Sequence, residues 1–389
     1  MPGKTTSESI KSLGYSVIRE MSGMAADYEN VISLGIGEPD FNTPAVITKQ
    51  AFEDAKKGHT HYTHSQGDPE LLEKLSVHIF NETGFRVPPH SIIVTHGGMG
   101  ALTAALKTLL EPGDEVLLME PHFPDYMAHI TFAGGVAKKV PTFFEDGFVP
   151  RPENIEKAIT EKTKLLLLNS PNNPTGAVIP GDVLDGIAEI VQKRDIFVIS
   201  DEVYDKIIFG RTFESIYTRK GMDERTLVAK SFSKSHAMTG WRVGYCYGPE
   251  WIIAQMLKVV NYSTACASSI GQRAAIAALD IDRSVVNAMR DRFAARVDLV
   301  CRRLEKMKGI RVVKPCGAFY VFADISLISQ ESRRFAIDLL KKQQVVVIPG
   351  YAFGDSGEGC IRIACTVKRA LLEKAMDRLE TFISGYHGE

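Results

Sequence analysis

Lys230-Ser231-Phe232-Ser233-Lys234-Ser235-His236-Ala237-Met238-Thr239-Gly240-Trp241-Arg242-Val243-Gly244 sets one lysine between small hydroxyls and a permanent cation. A lysine must lose its proton to act as a nucleophile, and both partial burial and a nearby cation lower its pKa. Arg242 stays charged and can hold a phosphate through two parallel hydrogen bonds. Lys234 therefore reads as an amine that condenses with an aldehyde. Ser231, Ser233 and Arg242 read as ligands of a phosphate on that aldehyde, and the combination points to pyridoxal phosphate. A hydroxyl-rich turn around a lysine is often only a solvated loop, so the reading depends on the rest of the chain.

Working outward, short apolar runs at 92–95, 115–119, 164–168, 196–200 and 226–229 alternate with helix-forming stretches. Strands apolar on both faces, separated by helices, predict a mostly parallel sheet covered on both sides. Ligands of such sheets sit at the carboxyl ends of the strands. Beyond residue 280 the texture changes. A long charged amphipathic helix is predicted over 282–306. Strands follow near 312–313, 319–322, 345–348 and 361–363, with helices around 333–341 and 367–381. The expected organisation is an N-terminal arm contributing to a small domain (1–44), a large cofactor domain (45–281) and a small C-terminal α+β domain (282–389).

The bulk properties exclude other classes. At 389 residues, with 44% hydrophobic and 24% charged residues, the chain has an ordinary globular composition. A net charge of -1 offers no electrostatic case for nucleic acid or an anionic membrane. Six cysteines show no C-x-x-C pair and no zinc spacing, and read as buried small residues in a reducing compartment. His59, His61 and His64 match no regular helix face, so no metal site is expected. The first residues carry no apolar signal-peptide core and no run reaches transmembrane length, so a cytoplasmic location is expected.

A dinucleotide fingerprint competes for one segment. Gly98-Met99-Gly100 follows a strand, and Glu120 ends the next strand, where a ribose-binding acid would lie. The third glycine is missing, since position 103 is Thr, and Lys234 would be left unexplained. What survives is shared physics: the backbone N–H groups of Gly98 and Met99, at a helix N-terminus, suit a phosphate. Two further motifs fall at strand ends. Asn169-Ser170-Pro171-Asn172-Asn173-Pro174-Thr175-Gly176 holds an amide extended before proline, and an Asx turn is the plainer reading. In Asp201-Glu202-Val203-Tyr204 the acid and the tyrosine are one helical turn apart and can face one cleft.

Taken in order, L-G-I-G-E-P-D-F, N-S-P-N-N-P-T-G, D-E-V-Y, S-F-S-K-x-x-A-M-T-G-W-R-x-G and I-R-I-A resemble the class I aminotransferases, the fold type I enzymes of pyridoxal phosphate. The microbial aspartate and aromatic aminotransferase branch is the most similar. The resemblance implies an α/β fold with a mostly parallel seven-stranded sheet in a large domain, plus a smaller α+β domain. It implies ping-pong transfer of an amino group between an L-amino acid and a 2-oxo acid, in the aromatic, aspartate and glutamate range. Lys234 would form the Schiff base and shuttle the proton. Asp201 would pair with the pyridinium nitrogen, and Asn173 and Tyr204 with the phenolic oxygen. Ser231, Ser233, Arg242, Gly98 and Met99 would bind the phosphate, and Phe123 would stack on the ring. Arg362 would grip the substrate α-carboxylate, with Asn173 and the Gly37 backbone assisting. Tyr62 would reach the phosphate of a neighbouring subunit, which makes a homodimer with shared sites. A carbon–sulfur β-lyase on the same scaffold is the alternative. A non-catalytic DNA-binding relative would be expected to carry a further segment and a basic patch.

The departure from the branch is Met99. Some members that favour aspartate carry a lysine there for the side-chain carboxylate, and a thioether cannot replace it. Aromatic or other apolar amino acids are therefore expected to be preferred. Met99→Lys should raise kcat/KM for aspartate by about tenfold relative to phenylalanine, the worth of one modest charge pair. Unchanged or lower aspartate turnover in that variant would refute the side-chain argument.

Overall fold

The computed structural model describes residues 6–386. The first five residues, part of the expected arm and of the stretch read for a signal peptide, lie outside the described residues. Helices α1 (Glu8–Lys11) and α2 (Val17–Met24) lead to strand β1 (Ile32–Ser33). Then come α3 (Ala45–Lys56), α4 (Pro69–Thr83), β2 (Ile92–Thr95), α5 (Gly97–Leu109), β3 (Glu115–Glu120), α6 (Asp125–Phe132) and β4 (Val136–Pro141). Next are α7 (Pro152–Ala158), β5 (Thr163–Asn169), α8 (Gly181–Arg194), β6 (Phe197–Asp201), β7 (Thr226–Ser231), α9 (Phe232–Ser235), β8 (Gly244–Tyr247), α10 (Glu250–Thr264) and α11 (Ser269–Leu279). The rest is α12 (Arg283–Leu304), β9 (Arg311–Val312), β10 (Tyr320–Asp324), α13 (Ser332–Gln343), β11 (Val345–Val346), β12 (Ile348–Pro349), β13 (Cys360–Ala364) and α14 (Arg369–Ser384).

Local chemistry sets several boundaries. The Asp68 side chain accepts from the Glu70 N–H at 2.9 Å, Pro69 opens α4, and Gly84 closes it at φ 75°. Ser268 and Asp282 cap α11 and α12 in the same way, at 3.2 and 2.7 Å.

The large sheet has seven strands in the order β2-β8-β7-β6-β5-β3-β4, and β8 alone runs antiparallel to its neighbours. Alternate residues of each central strand feed two cores. Leu165, Leu167, Val116 and Leu118 pack with α5 and α10 on one face. Leu166, Leu168, Leu117 and Met119 pack with α8 on the other. Fully burying each leucine contributes about 1.5–3 kcal/mol, which is why these strands read as continuous apolar runs.

The small unit is a four-stranded antiparallel sheet, β12-β13-β10-β9, covered by α12, α13 and α14. The chain before residue 44 is stitched into it. Strand β1 pairs in parallel with β11, the Leu34 N–H donates to the Val346 carbonyl, and the Leu34 carbonyl accepts from the Ala364 N–H, both at 2.8 Å. Arg296 of α12 holds Asp40 with two hydrogen bonds, at 2.7 and 2.9 Å.

Two local expectations change and one holds. The run 345–348 is not one strand. Val345–Val346 pairs with β1 and Ile348–Pro349 with β13, so the chain changes sheets at Val347. Gly97-Gly98-Met99-Gly100 forms the first turn of α5, so Gly98 and Met99 do stand at a helix N-terminus, with Gly97 alone of the four at positive φ (67°). No helix carries Asp201 and Tyr204 to one cleft. Asp201 ends β6 and Tyr204 lies in the turns after it, closed by the Ile207 N–H on the Tyr204 carbonyl at 2.8 Å.

Candidate active site

A cavity of about 280 Å³ lies where the carboxyl ends of β5, β6 and β7 and the start of α5 face the small unit. Gly37, Gly98, Met99, Phe123, Asn173, Asp201, Tyr204, Ser231, Ser233, Lys234, Arg242 and Arg362 all line it. Tyr62 does not: it stands 89% exposed on the surface of the single chain. Glu120, the acid of the dinucleotide fingerprint, faces elsewhere. Its carboxylate accepts from the Asp355 N–H at 2.9 Å and lies 3.2 Å from Lys139 Nζ, joining the large unit to the loop before β13.

One end of the cavity is built for an anion. Helix α5 points its N-terminus inward, where the dipole and free N–H groups favour negative charge. A Cβ on Gly97 would approach the Arg242 guanidinium to 2.9 Å, so only bare backbone lets helix and cation come this close. Arg242 is fixed by a hydrogen bond from Nη1 to the Thr239 carbonyl at 2.9 Å. Ser231 caps α9, its Oγ accepting from the Ser233 N–H at 3.1 Å, and its hydroxyl faces the same end.

Asp201 lies deep at the end of β6, 4% exposed. Its Oδ2 accepts from the Tyr126 hydroxyl at 2.7 Å and its Oδ1 from the Val203 N–H at 3.2 Å. Burial pushes its carboxyl up to about 6, and those two hydrogen bonds restrain the rise. No cation of the chain pairs with it within 4 Å among the described residues. The Asn169 side chain braces the floor. Its amide donates to the Asp201 carbonyl at 3.0 Å, and its oxygen accepts from the Asn173 N–H at 2.8 Å. Phe123 packs edge-on against Tyr126, with ring centroids 5.5 Å apart.

Two lysines four residues apart have opposite surroundings. Lys230 is buried between Glu202 and Asp205, 2.8 Å from each, and these acids hold its ammonium well above the ordinary range against the cost of burial. Lys234 faces the cavity with the Gly37 carbonyl as acceptor at 2.6 Å. Burial lowers it to about 8, Arg242 and Arg362 add to the effect, and Glu38 opposes it. The second lysine therefore gives up its proton far more readily than an ordinary lysine.

Arg362 belongs to β13, an interior strand, and is 1% exposed. Its Nη1 donates to Asn173 Oδ1 at 2.9 Å, its Nη2 donates to the Gly35 carbonyl, and its buried Nε has no partner. The rings of Tyr320 and Phe353 lie 4.5 and 4.9 Å from the guanidinium carbon. An unsatisfied N–H on a buried guanidinium suits an incoming carboxylate. A Cβ on Gly37 would overlap the Tyr320 hydroxyl, which itself meets the Tyr204 hydroxyl at 2.9 Å.

These observations fit pyridoxal phosphate: an anion cradle, a buried acid without a cation, a neutral-prone lysine and an arginine with a spare donor. Tyr126, Asn169 and Tyr320 were missed in the sequence. Tyr126 lies three residues after Phe123, and Asn169 opens the quoted asparagine motif, so both were within reach of spacing arguments. Tyr320 lay inside an ordinary apolar run.

The sequence profile described as aminotransferase class I and II matches residues 29–379. The chain is 39% identical to aromatic-amino-acid aminotransferase 2 of Thermococcus litoralis, across 96% of this chain and 97% of that protein. It is 41% identical to an aspartate aminotransferase of Pyrococcus abyssi, across 94% and 95%. Among solved structures, the aspartate aminotransferase of Thermus thermophilus with maleate superposes with a TM-score of 0.93, at 36% identity over 97% of this chain and 99% of that one. The aromatic aminotransferase of Pyrococcus horikoshii superposes with a TM-score of 0.90, at 40% identity over 94% and 98%.

Borohydride reduction of protein loaded with pyridoxal phosphate, followed by peptide mass spectrometry, should place the cofactor on Lys234 and leave Lys230 free. Lys234→Ala should lose about a thousandfold or more in turnover. Label on Lys230, or comparable turnover in the variant, would overturn the lysine assignment. The Asp201 shift also gives a stability signature. Its folded pKa lies above the ordinary 3.8, at about 6, so in the cofactor-free protein the folded state holds the proton more tightly. This contribution is fully present below pH 3.8 and is lost as pH rises through about 6, leaving a buried charge that a cationic ring would relieve. At pH 7.5 the cofactor should therefore raise Tm by several degrees less in Asp201→Asn than in the wild type. Equal gains would show that Asp201 does not meet the cofactor's charge.

Proposed function

The chain belongs to the class I and II aminotransferases, and from that premise we propose how its residues divide the work of a pyridoxal-phosphate-dependent enzyme that passes an amino group from an L-amino acid to a 2-oxo acid. When bound, pyridoxal phosphate supplies an electron-accepting ring that stabilises negative charge at the substrate Cα. The carrying observation is the shared cavity of Lys234, Asp201 and Arg362, the first partly buried and the other two fully, with none in an ion pair within 4 Å among the described residues.

Ser231, Ser233, Arg242 and the N–H groups of Gly98 and Met99 would hold the phosphate, and Phe123 would supply a stacking face for the ring. Asp201, oriented by Tyr126 and Asn169, supplies the negative charge that keeps a ring nitrogen protonated. Asn173 and Tyr204 direct hydrogen bonds to the ring hydroxyl. Arg362 and Asn173 orient the substrate by its α-carboxylate, which points the Cα–H toward Lys234, and the Gly37 backbone borders that position. Lys234, whose pKa burial lowers, takes the proton from Cα. One pocket serves both half-reactions, so the second substrate uses the groups the first has vacated.

The aromatic and aspartate aminotransferase relatives support a substrate range of aromatic amino acids, aspartate and glutamate. Met99 in the cavity wall favours the aromatic end of it. No observation favours the carbon–sulfur lyase. The division into residues 1–44, 45–281 and 282–389 is proposed as the functional one, with the small unit carrying Arg362 to the cofactor domain. A homodimer is proposed on the exposed Tyr62, whose ring is free to enter a neighbouring subunit's phosphate site. A cytoplasmic location accompanies this reading, resting on the free cysteines. No helix among the described residues is long and apolar enough to cross a membrane.

The test is the visible absorption of the purified holoenzyme, before and after single amino acids are added without an oxo acid. Phenylalanine, tyrosine or glutamate should bleach the yellow band, and 2-oxoglutarate should restore it. A band that no amino acid bleaches, with pyruvate released from cystathionine, would replace the transferase reading with the lyase.

A further inference from the structure

Six charged side chains line the cavity. Lys234, Arg242, Arg362 and Asp201 are taken up by the proposed function. Arg19 and Asp125 are left. Arg19 comes from α2, an element outside the large sheet, together with its neighbour Ile18. Asp125 is the first residue of α6, beside Tyr126.

Arg19 makes no hydrogen bond and no ion pair among the described residues, although it faces the cavity with an exposed side chain. Burial raises the Asp125 carboxyl above its ordinary value and the Arg19 charge pulls it down, so the two sense each other across the cavity without touching. The same lining carries the apolar side chains of Ile18, Ile36, Met99 and Leu102, with Ser16 two residues before Ile18. Ping-pong exchange imposes a chemical demand here. Aromatic amino acids and dicarboxylic partners such as glutamate must enter the same pocket in turn, yet Met99 offers the side-chain carboxylate no cation. An unpaired guanidinium on a flexible exposed stem meets this demand. Turned inward it presents two parallel donors to a carboxylate, and turned outward it leaves an apolar wall for a ring.

We propose that Arg19 is the specificity-determining residue that receives the side-chain carboxylate of acidic substrates, while Ile18 and Ile36 receive aromatic ones. This rests on the aminotransferase reading.

The test uses calorimetric titration of the holoenzyme with two unreactive acids, glutarate and 3-phenylpropionate, in the wild type, Arg19→Ala and Arg19→Lys. Loss of one charge-assisted pair corresponds to about ten- to hundredfold in Kd. Arg19→Ala should weaken glutarate by that factor and 3-phenylpropionate by less than about twofold, with Arg19→Lys recovering part of the loss for glutarate. Single-turnover bleaching should follow the same split, slowed at subsaturating glutamate and unchanged with phenylalanine. Equal weakening of both acids, or none, would overturn the assignment. Wild-type enzyme that no amino acid bleaches would refute the aminotransferase reading. Normal bleaching with unchanged glutarate affinity in Arg19→Ala would refute Arg19 alone.

Discussion

The buried guanidinium of Arg362 ties together parts of the chain that are far apart in sequence. It lies on an interior strand of the small sheet, donates to Asn173 within the asparagine motif, and donates to the Gly35 carbonyl in the N-terminal segment. Burying an arginine is unfavourable unless its donors are satisfied, and the removal of a buried charge's partner typically costs several kcal/mol. The relative placement of the large unit, the small sheet and the N-terminal segment is thus constrained by one side chain. The same side chain lines the cavity and leaves its buried Nε without a partner. Structure and recognition share this residue because a satisfied guanidinium would hold the units together but bind nothing.

The site separates its charges by alternation in and after strand β7. Lys230 and Ser231 point to opposite faces, as neighbours in a strand must. Lys230 falls among Glu202 and Asp205 on one side, while Ser231 and then Lys234 open on the cavity. Asp201 is treated in the complementary way: Tyr126 and Asn169 hold its carboxylate and backbone, yet no lysine or arginine neutralises it. A chain that paired Asp201 with Lys234 directly would be more stable without the cofactor and unable to use either group. Helix α2 contributes to the same balance from outside the sheet, setting Arg19 and Ile18 where neither the motifs nor the strand ends reach.

Much of this was legible in the sequence because it depends on local order. The apolar runs from 92 to 229 announced a sheet buried on both faces. The residues just after those runs, Asn173, Asp201, Ser231 and Lys234, were identifiable as candidates because strand ends in such sheets form the ligand crevice. Compressed motifs such as I-R-I-A and N-S-P-N-N-P-T-G carried the family, since their members are neighbours in the chain. What the sequence could not yield were pairings between distant segments. Tyr126 on Asp201, Tyr320 on Tyr204 and Gly35 on Arg362 link residues 75 to 327 positions apart, and no spacing rule covers such distances. The strand expected at 345–348 divides between two sheets because its partners, β1 and β13, come from opposite ends of the chain. Periodicity therefore determined which residues are buried and which lie at strand ends. Only the tertiary structure decided which of two nearby lysines has its pKa lowered, which arginine in the cavity keeps a free donor, and that Arg19 faces the cavity, because desolvation and charge depend on what surrounds a group in space.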